Sequence, residues 1–225
     1  MLRKILTTAI LGISVLGVMA ANAAAPGAYV TGQLGYADTH MGSKIKSPIM
    51  LPFSSIILFK PNLSNNGLAG RLAIGYQFTP NWAVELGYLQ LRSKKGDGII
   101  PGDASDPATP ISLNLNQNAI DIATKGILPL TTNINVYGKL GVAYLTTSTK
   151  MDMTTGGASF PITADLNSTL GIAKHKWAPE AAVGVSYDIT PNVSIDTSWT
   201  HIQPLGKNRP NNIDFVAVGV GYNFG

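Results

Sequence analysis

Eight stretches of this chain alternate apolar with polar or small residues at a period of two, and the connections between them are short and long in turn. The stretches are Ala28 to Ala37, Leu68 to Phe78, Trp82 to Leu91, Ala119 to Leu128, Ile134 to Leu145, Trp177 to Ile189, Val193 to His201 and Phe215 to Phe224. Period two is the side-chain repeat of a β-strand, so each stretch predicts a strand with one apolar face. Thr79-Pro80-Asn81, Thr131-Thr132-Asn133 and Thr190-Pro191-Asn192 read as tight turns. Asp38 to Gly67, Arg92 to Asn118 and Thr146 to Lys176 read as long loops, and Ile202 to Asp214 as a shorter one. A soluble domain rarely carries three structureless loops of that length. A membrane-spanning barrel has short turns at one end and long loops at the other as its rule.

The aromatic residues separate a membrane barrel from a soluble barrel or sandwich. Tyr76, Phe78, Trp82, Tyr187, Tyr222 and Phe224 lie on the apolar faces at the short-turn end, and Tyr36, Tyr88, Tyr144, Trp177 and Trp199 at the long-loop end. Amphipathic rings settle at the two headgroup levels, which produces two girdles. In a soluble core the rings would spread along the strands. The opposite faces carry small residues and charges: Arg71, Lys125 and Lys139 against Glu85, Asp121, Glu180 and Asp196. That suits a narrow polar lumen. In lipid every backbone N–H and C=O needs a partner, so the sheet must close on itself. The predicted fold is all-β, an eight-stranded antiparallel up-and-down transmembrane barrel.

The N-terminus predicts export. Arg3 and Lys4 precede the apolar run from Ile5 to Met19, and Ala21-Asn22-Ala23 forms a small-residue cleavage site, with Ala23-Ala24-Ala25 as the weaker second choice. The run is short for a membrane helix, and small residues follow it where a stop-transfer signal would stand. Residues 1–23 are thus expected as signal peptide and 24–225 as barrel domain. Losing Arg3 and Lys4 takes the formal charge from +4 to about +2, so the pI near 9.2 is no argument for nucleic acid. The chain has no cysteine, which excludes disulfides, thiolate metal sites and an N-terminal lipid anchor.

Several fragments resemble the barrel of the outer membrane protein A family. Gly75 through Tyr88 (GYQFTPNWAVELGY) resembles its second hairpin, and Leu130 through Gly141 (LTTNINVYGKLG) its central one. Gly184 through Asn192 resembles the next periplasmic turn, and Arg209 through Asp214 followed by Val218 through Phe224 its last strand. The resemblance implies an eight-stranded barrel with a plugged, charged interior, while the alternation of connections, with short turns on the periplasmic side of a bacterial outer-membrane barrel, predicts both mature termini in the periplasm. By position Glu85 and Lys125 match two members of the family's internal charge network, and Lys139 stands where the family has an arginine. Asp196 replaces an interior arginine and Ser186 a glutamate, so the internal pairing is expected to differ. With the chain ending at Gly225, the barrel is expected without the family's peptidoglycan-binding domain.

The charged lumen has two readings: a gate in which ion pairs exchange partners, or a static polar filling, favoured because eight strands leave room only for side chains. His40, His175 and His201 lack metal-ligand spacing, and no G-x-S-x-G nucleophile motif occurs, so neither a metal, a cofactor nor an enzymatic activity is expected. In the first loop Ile49-Met50-Leu51-Pro52-Phe53 and Ile56-Ile57-Leu58-Phe59 are apolar. They read either as segments that continue strands above the membrane or fold over the barrel mouth, or as an exposed patch for a protein or hydrophobic ligand. The leading expectation is a structural or surface-interaction barrel in contact with outer-membrane lipid, lipopolysaccharide and the barrel-assembly machinery, with no nucleic-acid partner. The alternatives are a narrow channel for small hydrophobic molecules, similar to the outer membrane protein W family, and a surface adhesin.

Overall fold

The computed structural model describes residues 26–40, 49–50, 56–59, 66–100, 109–155, 158–162, 167 and 171–225. The signal peptide expected over 1–23 and the cleavage sites lie outside them. The strands are β1 (Gly27–Asp38), β2 (Ile49–Met50), β3 (Ile56–Phe59), β4 (Asn66–Thr79), β5 (Trp82–Ile100), β6 (Thr109–Pro129), β7 (Ile134–Thr155), β8 (Ala158–Ile162), β9 (His175–Asp188), β10 (Val193–Ile202) and β11 (Ile213–Asn223). Eight of them, in the order β5-β4-β1-β11-β10-β9-β7-β6, form one antiparallel sheet, and the β5–β6 pairing closes it into a barrel. Stepping around the register from Asp38 through Asp214, His201, Ala181, Leu140, Thr124, Val84 and Tyr76 returns to β1 at Ala28, ten residues from the start. That stagger tilts the strands of a closed barrel.

The apolar faces point outward. Leu34 is 77% exposed and Leu140 70%, whereas inward Ala37 and Ala143 are buried. In water each exposed leucine would forfeit about 1.5–3 kcal/mol, a penalty that surrounding hydrocarbon removes. The outward rings cluster at two levels. Tyr76 packs on Phe78 and Tyr222 on Phe224 at the short-turn end, with centroids 5.1 and 4.9 Å apart, and Tyr144 meets Trp177 at 4.9 Å at the other.

The three short turns are one device used three times. Thr79 Oγ1 accepts the N–H groups of Asn81 and Trp82, Thr131 Oγ1 those of Asn133 and Ile134, and Thr190 Oγ1 those of Asn192 and Val193. The asparagine then reaches to the strand beyond its own hairpin. Asn81 pairs through its backbone oxygen and Nδ2 with the N–H and C=O of Ile127, at 2.8 and 3.0 Å. Asn133 does the same to Asp188, and Asn192 to Asn223. Each T-x-N turn satisfies its own backbone and clamps the neighbouring hairpin, as buried or edge backbone groups require.

The long connections depart from expectation. Arg92 to Asn118 is not a structureless loop: β5 and β6 stay paired out to Ile100↔Thr109. Thr146 to Lys176 opens with ten more residues of β7, which pairs onward with β8. In the first loop β2 pairs with β3, and β3 with the β5 extension at Leu58↔Ile99 and Phe59↔Gly98. The backbone there follows the strand-continuation reading; Leu51, Pro52 and Phe53 lie outside the described residues. On this side the wall rises well above the upper girdle. On the other side β1, β10 and β11 end about two residues beyond it.

Candidate functional site: the lumen

Inward positions of the barrel stack into three zones. The middle one is ionic. Arg71 on β4 grips Asp121 on β6 through Nη2–Oδ1 at 2.6 Å and Nε–Oδ2 at 3.3 Å, and reaches Glu85 on β5 through Nη1 at 3.4 Å. Lys139 on β7 donates to Glu85 Oε2 at 2.5 Å, and Lys125 on β6 lies 3.4 Å from Oε1. Tyr29 on β1 donates to the same Oε1 at 2.8 Å. Glu85 is wholly buried and is met by three cations and a phenol. Burying such charges costs heavily in desolvation, so the cluster persists only because each charge has partners; removing one partner leaves the others stranded.

The structure thus gathers five of the seven charges singled out from sequence: Arg71, Glu85, Asp121, Lys125 and Lys139. Glu180 is buried beside them, and its Oε2 has no hydrogen-bond partner among the described residues. Asp196 stands apart. It accepts from Gln33 Nε2 and Tyr137 Oη, each at 2.7 Å, rather than from a cation. The tyrosines escaped the sequence reading, although both sit at inward positions opposite a glycine. Tyr29 faces Gly75 and Tyr137 faces Gly184 across the ladder, and a β-carbon at either glycine would collide with the ring. Inward aromatics facing inward glycines were the available signal. The Tyr137 ring also lies 4.4 Å from Lys125 Nζ, a cation–π contact.

Toward the short turns the lumen is polar, around a cavity of about 70 Å³ bounded by Tyr29, Gln77, Lys125, Asn135, Asp188 and Asp196. Toward the long loops it is apolar, and here the expected polar lumen needs correcting. Leu89, Leu91, Leu145, Ile202, Ile213 and Phe215, with inward alanines between them, form one buried cluster across the barrel. These residues sit where strands are apolar on both faces, as in Tyr88-Leu89 and Phe215-Val216. Above the cluster, Asn167 donates to Thr147 O and accepts from Thr149 N. A solute entering from the short-turn end meets the charge cluster, and one entering from the long-loop end meets the apolar cluster.

The model of the outer membrane protein β-barrel domain matches residues 8–224. The chain belongs to that family. An uncharacterized protein of Coxiella burnetii (strain RSA 493 / Nine Mile phase I) is 29% identical over 220 residues, covering 90% of this chain and 87% of its own. Similar solved structures are Neisserial surface protein A (14% identity, TM-score 0.49, 88% of this chain and 97% of that one) and OprG of Pseudomonas aeruginosa (15%, 0.47, 88% and 96%). The attachment invasion locus protein of Yersinia pestis, solved with the heparin analogue sucrose octasulfate, is 15% identical at a TM-score of 0.44, over 88% and 99%. Within this outer-membrane family the lumen described above is the interior of the barrel. The girdle residues Tyr36, Tyr76, Phe78, Trp82, Tyr88, Trp177, Tyr187, Trp199, Tyr222 and Phe224 are all exposed on its outer wall, and Tyr144 is half-buried there.

Proposed function

We propose that this barrel is a non-conducting integral protein of the outer membrane, of structural or surface-interaction type, with its long-loop end outside the cell and both mature termini in the periplasm after removal of residues 1–23. Two successive layers across the lumen support this reading. An aqueous path would have to cross both the Glu85 cluster and the Leu89–Leu145–Phe215 layer. The two are built from unrelated chemistry, so an exchange of ion-pair partners would leave the apolar layer shut. A gate worked by the charges alone is therefore the weaker reading. Pairing of β3 onto β5 also favours a rising wall over a ligand-collecting first loop, which weighs against the hydrophobic channel. Lipid, lipopolysaccharide and the assembly machinery are the partners that follow from an outer-membrane barrel.

Planar-bilayer recording of the refolded protein tests the closure: no resolvable steps are expected from wild type, and steady conductance would overturn the reading. Orientation is tested separately. The chain has no cysteine, so a single Lys207→Cys in the exposed β10–β11 connection reports its own side of the membrane. A membrane-impermeant maleimide should label it in intact cells; labelling only after lysis would reverse the orientation.

A further inference from the structure

The outward face of the tall wall does not end at the girdle. Above Tyr144 and Ile120 the same face continues through Asn118, Asn116 and Asn114 on β6, beside Thr146, Ser148 and Lys150 on β7. The register pairs Asn118 with Thr146, Asn116 with Ser148 and Asn114 with Lys150. On β5 the row is flanked by exposed Gln90 and Arg92. These are short amides and hydroxyls, which offer donors and acceptors together, bordered by two exposed cations. We propose that this face is the docking surface for the phosphorylated sugar headgroups of the outer-leaflet glycolipid, an inference that rests on the orientation proposed above.

Three observations carry it. The first is continuity: this face extends the lipid-facing band on the same strands, so whatever covers the band below has its headgroup here. The second is height. Lys150 follows Tyr144 by six residues, about 20 Å along a strand and about 15 Å above the girdle at a barrel strand's tilt. A phospholipid headgroup layer adds only about 5–8 Å to each side of the hydrocarbon, so a lipid must carry sugars to reach Asn114 and Lys150. The third is charge. On the low side, where the strands end about two residues above the girdle, the last outward positions hold Asp38 and Asp214, paired in register, with His201 Nδ1 2.8 Å from Asp214 and His40 Nδ1 3.5 Å from Asp38. Two adjacent carboxylates disfavour a phosphate, whereas Arg92 and Lys150 favour one. The tall face has acids as well: Asp97 and Asp152 flank Ser112 in its next row up, and Asp152 accepts from Asn114 Nδ2 at 3.0 Å. The cationic stretch thus ends at Lys150.

The test uses full-length protein extracted in mild detergent from a host that makes lipopolysaccharide, with retained glycolipid counted per barrel by mass spectrometry. Wild type should retain it against added phosphatidylglycerol at equal charge. Arg92→Gln with Lys150→Gln should lower retention at least threefold, and Asp38→Asn on the low side should not. Both cations are exposed, and an unchanged heat-dependent gel shift shows that the variant is folded. Equal retention by variant and wild type, or displacement by phosphatidylglycerol, overturns the proposal. Lys207→Cys labelled in intact cells with unchanged retention sinks this face alone; labelling only after lysis sinks the orientation and the face together.

Discussion

The two ends of the barrel are finished by opposite means. At the short-turn end one local device, T-x-N, is repeated three times, and the lumen behind it is a polar cavity. At the long-loop end the described parts of the connections pair differently, β2 with β3 and β3 with β5 in one, β5 with β6 in another and β7 with β8 in a third, and the lumen behind them is packed with apolar side chains. The charge cluster separates these regions. A repeated turn needs only its own three residues and a neighbouring backbone, so it can be written locally. A packed cross-section needs residues from most strands at one height. Stability should therefore be concentrated in the middle and upper lumen and spread thinly over the turns.

Glu85→Ala should produce the largest loss. It strands Lys125, Lys139 and one arm of Arg71 in a buried site, and breaking a buried pair costs about 3–5 kcal/mol. Urea unfolding followed by the heat-dependent gel shift measures it. Conductance should stay closed, because the Leu89–Phe215 layer is untouched. Open steps in Glu85→Ala alone would show that the charges are the only seal and would erase the distinction between the two zones.

The faces and turns were legible because contrast marked them. Apolar residues at period two against Gly, Ser and charge fixed which side of each strand meets lipid, and proline or threonine with asparagine fixed the turns. Strand length was not legible, and residues 109–122 show why. Ile120 and Ile122 point outward, but Ile111 and Leu115 point inward, with Ser112, Asn114 and Asn116 outside. Above the membrane the outside is wet and the inside dry, so the apolar parity inverts while the strand runs on. A pattern reader takes that inversion for the end of the strand. In the lumen, charges stood out against apolar surroundings and five of them do meet. Leu89, Leu145 and Phe215 did not stand out, because an inward apolar residue beside an outward one, Tyr88, Tyr144 or Val216, looks like loss of pattern.

Leu89→Ala should come next, at about 2–5 kcal/mol, since the side chain is almost fully buried and its cavity cannot collapse inside a closed sheet. Alone it should not conduct; combined with Glu85→Ala it should, and a closed double variant would mean that a further layer seals the barrel. Arginine on the lipid face should cost about 2–4 kcal/mol near the midplane. Val183→Arg tests that, whereas Ala182→Arg next to it points into the lumen and should act by crowding. Equal effects of the two in detergent and bilayer would contradict the assignment of faces.

The smallest effect belongs to the turns. Asn133→Ala removes the Nδ2 hydrogen bond to Asp188 O at 3.0 Å but keeps the backbone bond from Asp188 N to Asn133 O at 2.8 Å. A single exposed hydrogen bond contributes about 0.5–1.5 kcal/mol, so the loss should fall in that range and conductance should not change. Asn81→Ala and Asn192→Ala should lose similar amounts, because each removes the same contact. The three turns share no partners, so the triple variant should lose close to the sum. Asn133→Asp discriminates the clamp from a mere turn preference. Aspartate suits the turn as well as asparagine does, but it would set a carboxylate oxygen against the Asp188 carbonyl where a donor is needed. Unfolding midpoints should therefore rank wild type above Asn133→Ala and Asn133→Ala above Asn133→Asp. If aspartate instead matches wild type, the residue serves only to shape the turn, and the ends of adjacent hairpins are not clamped by it.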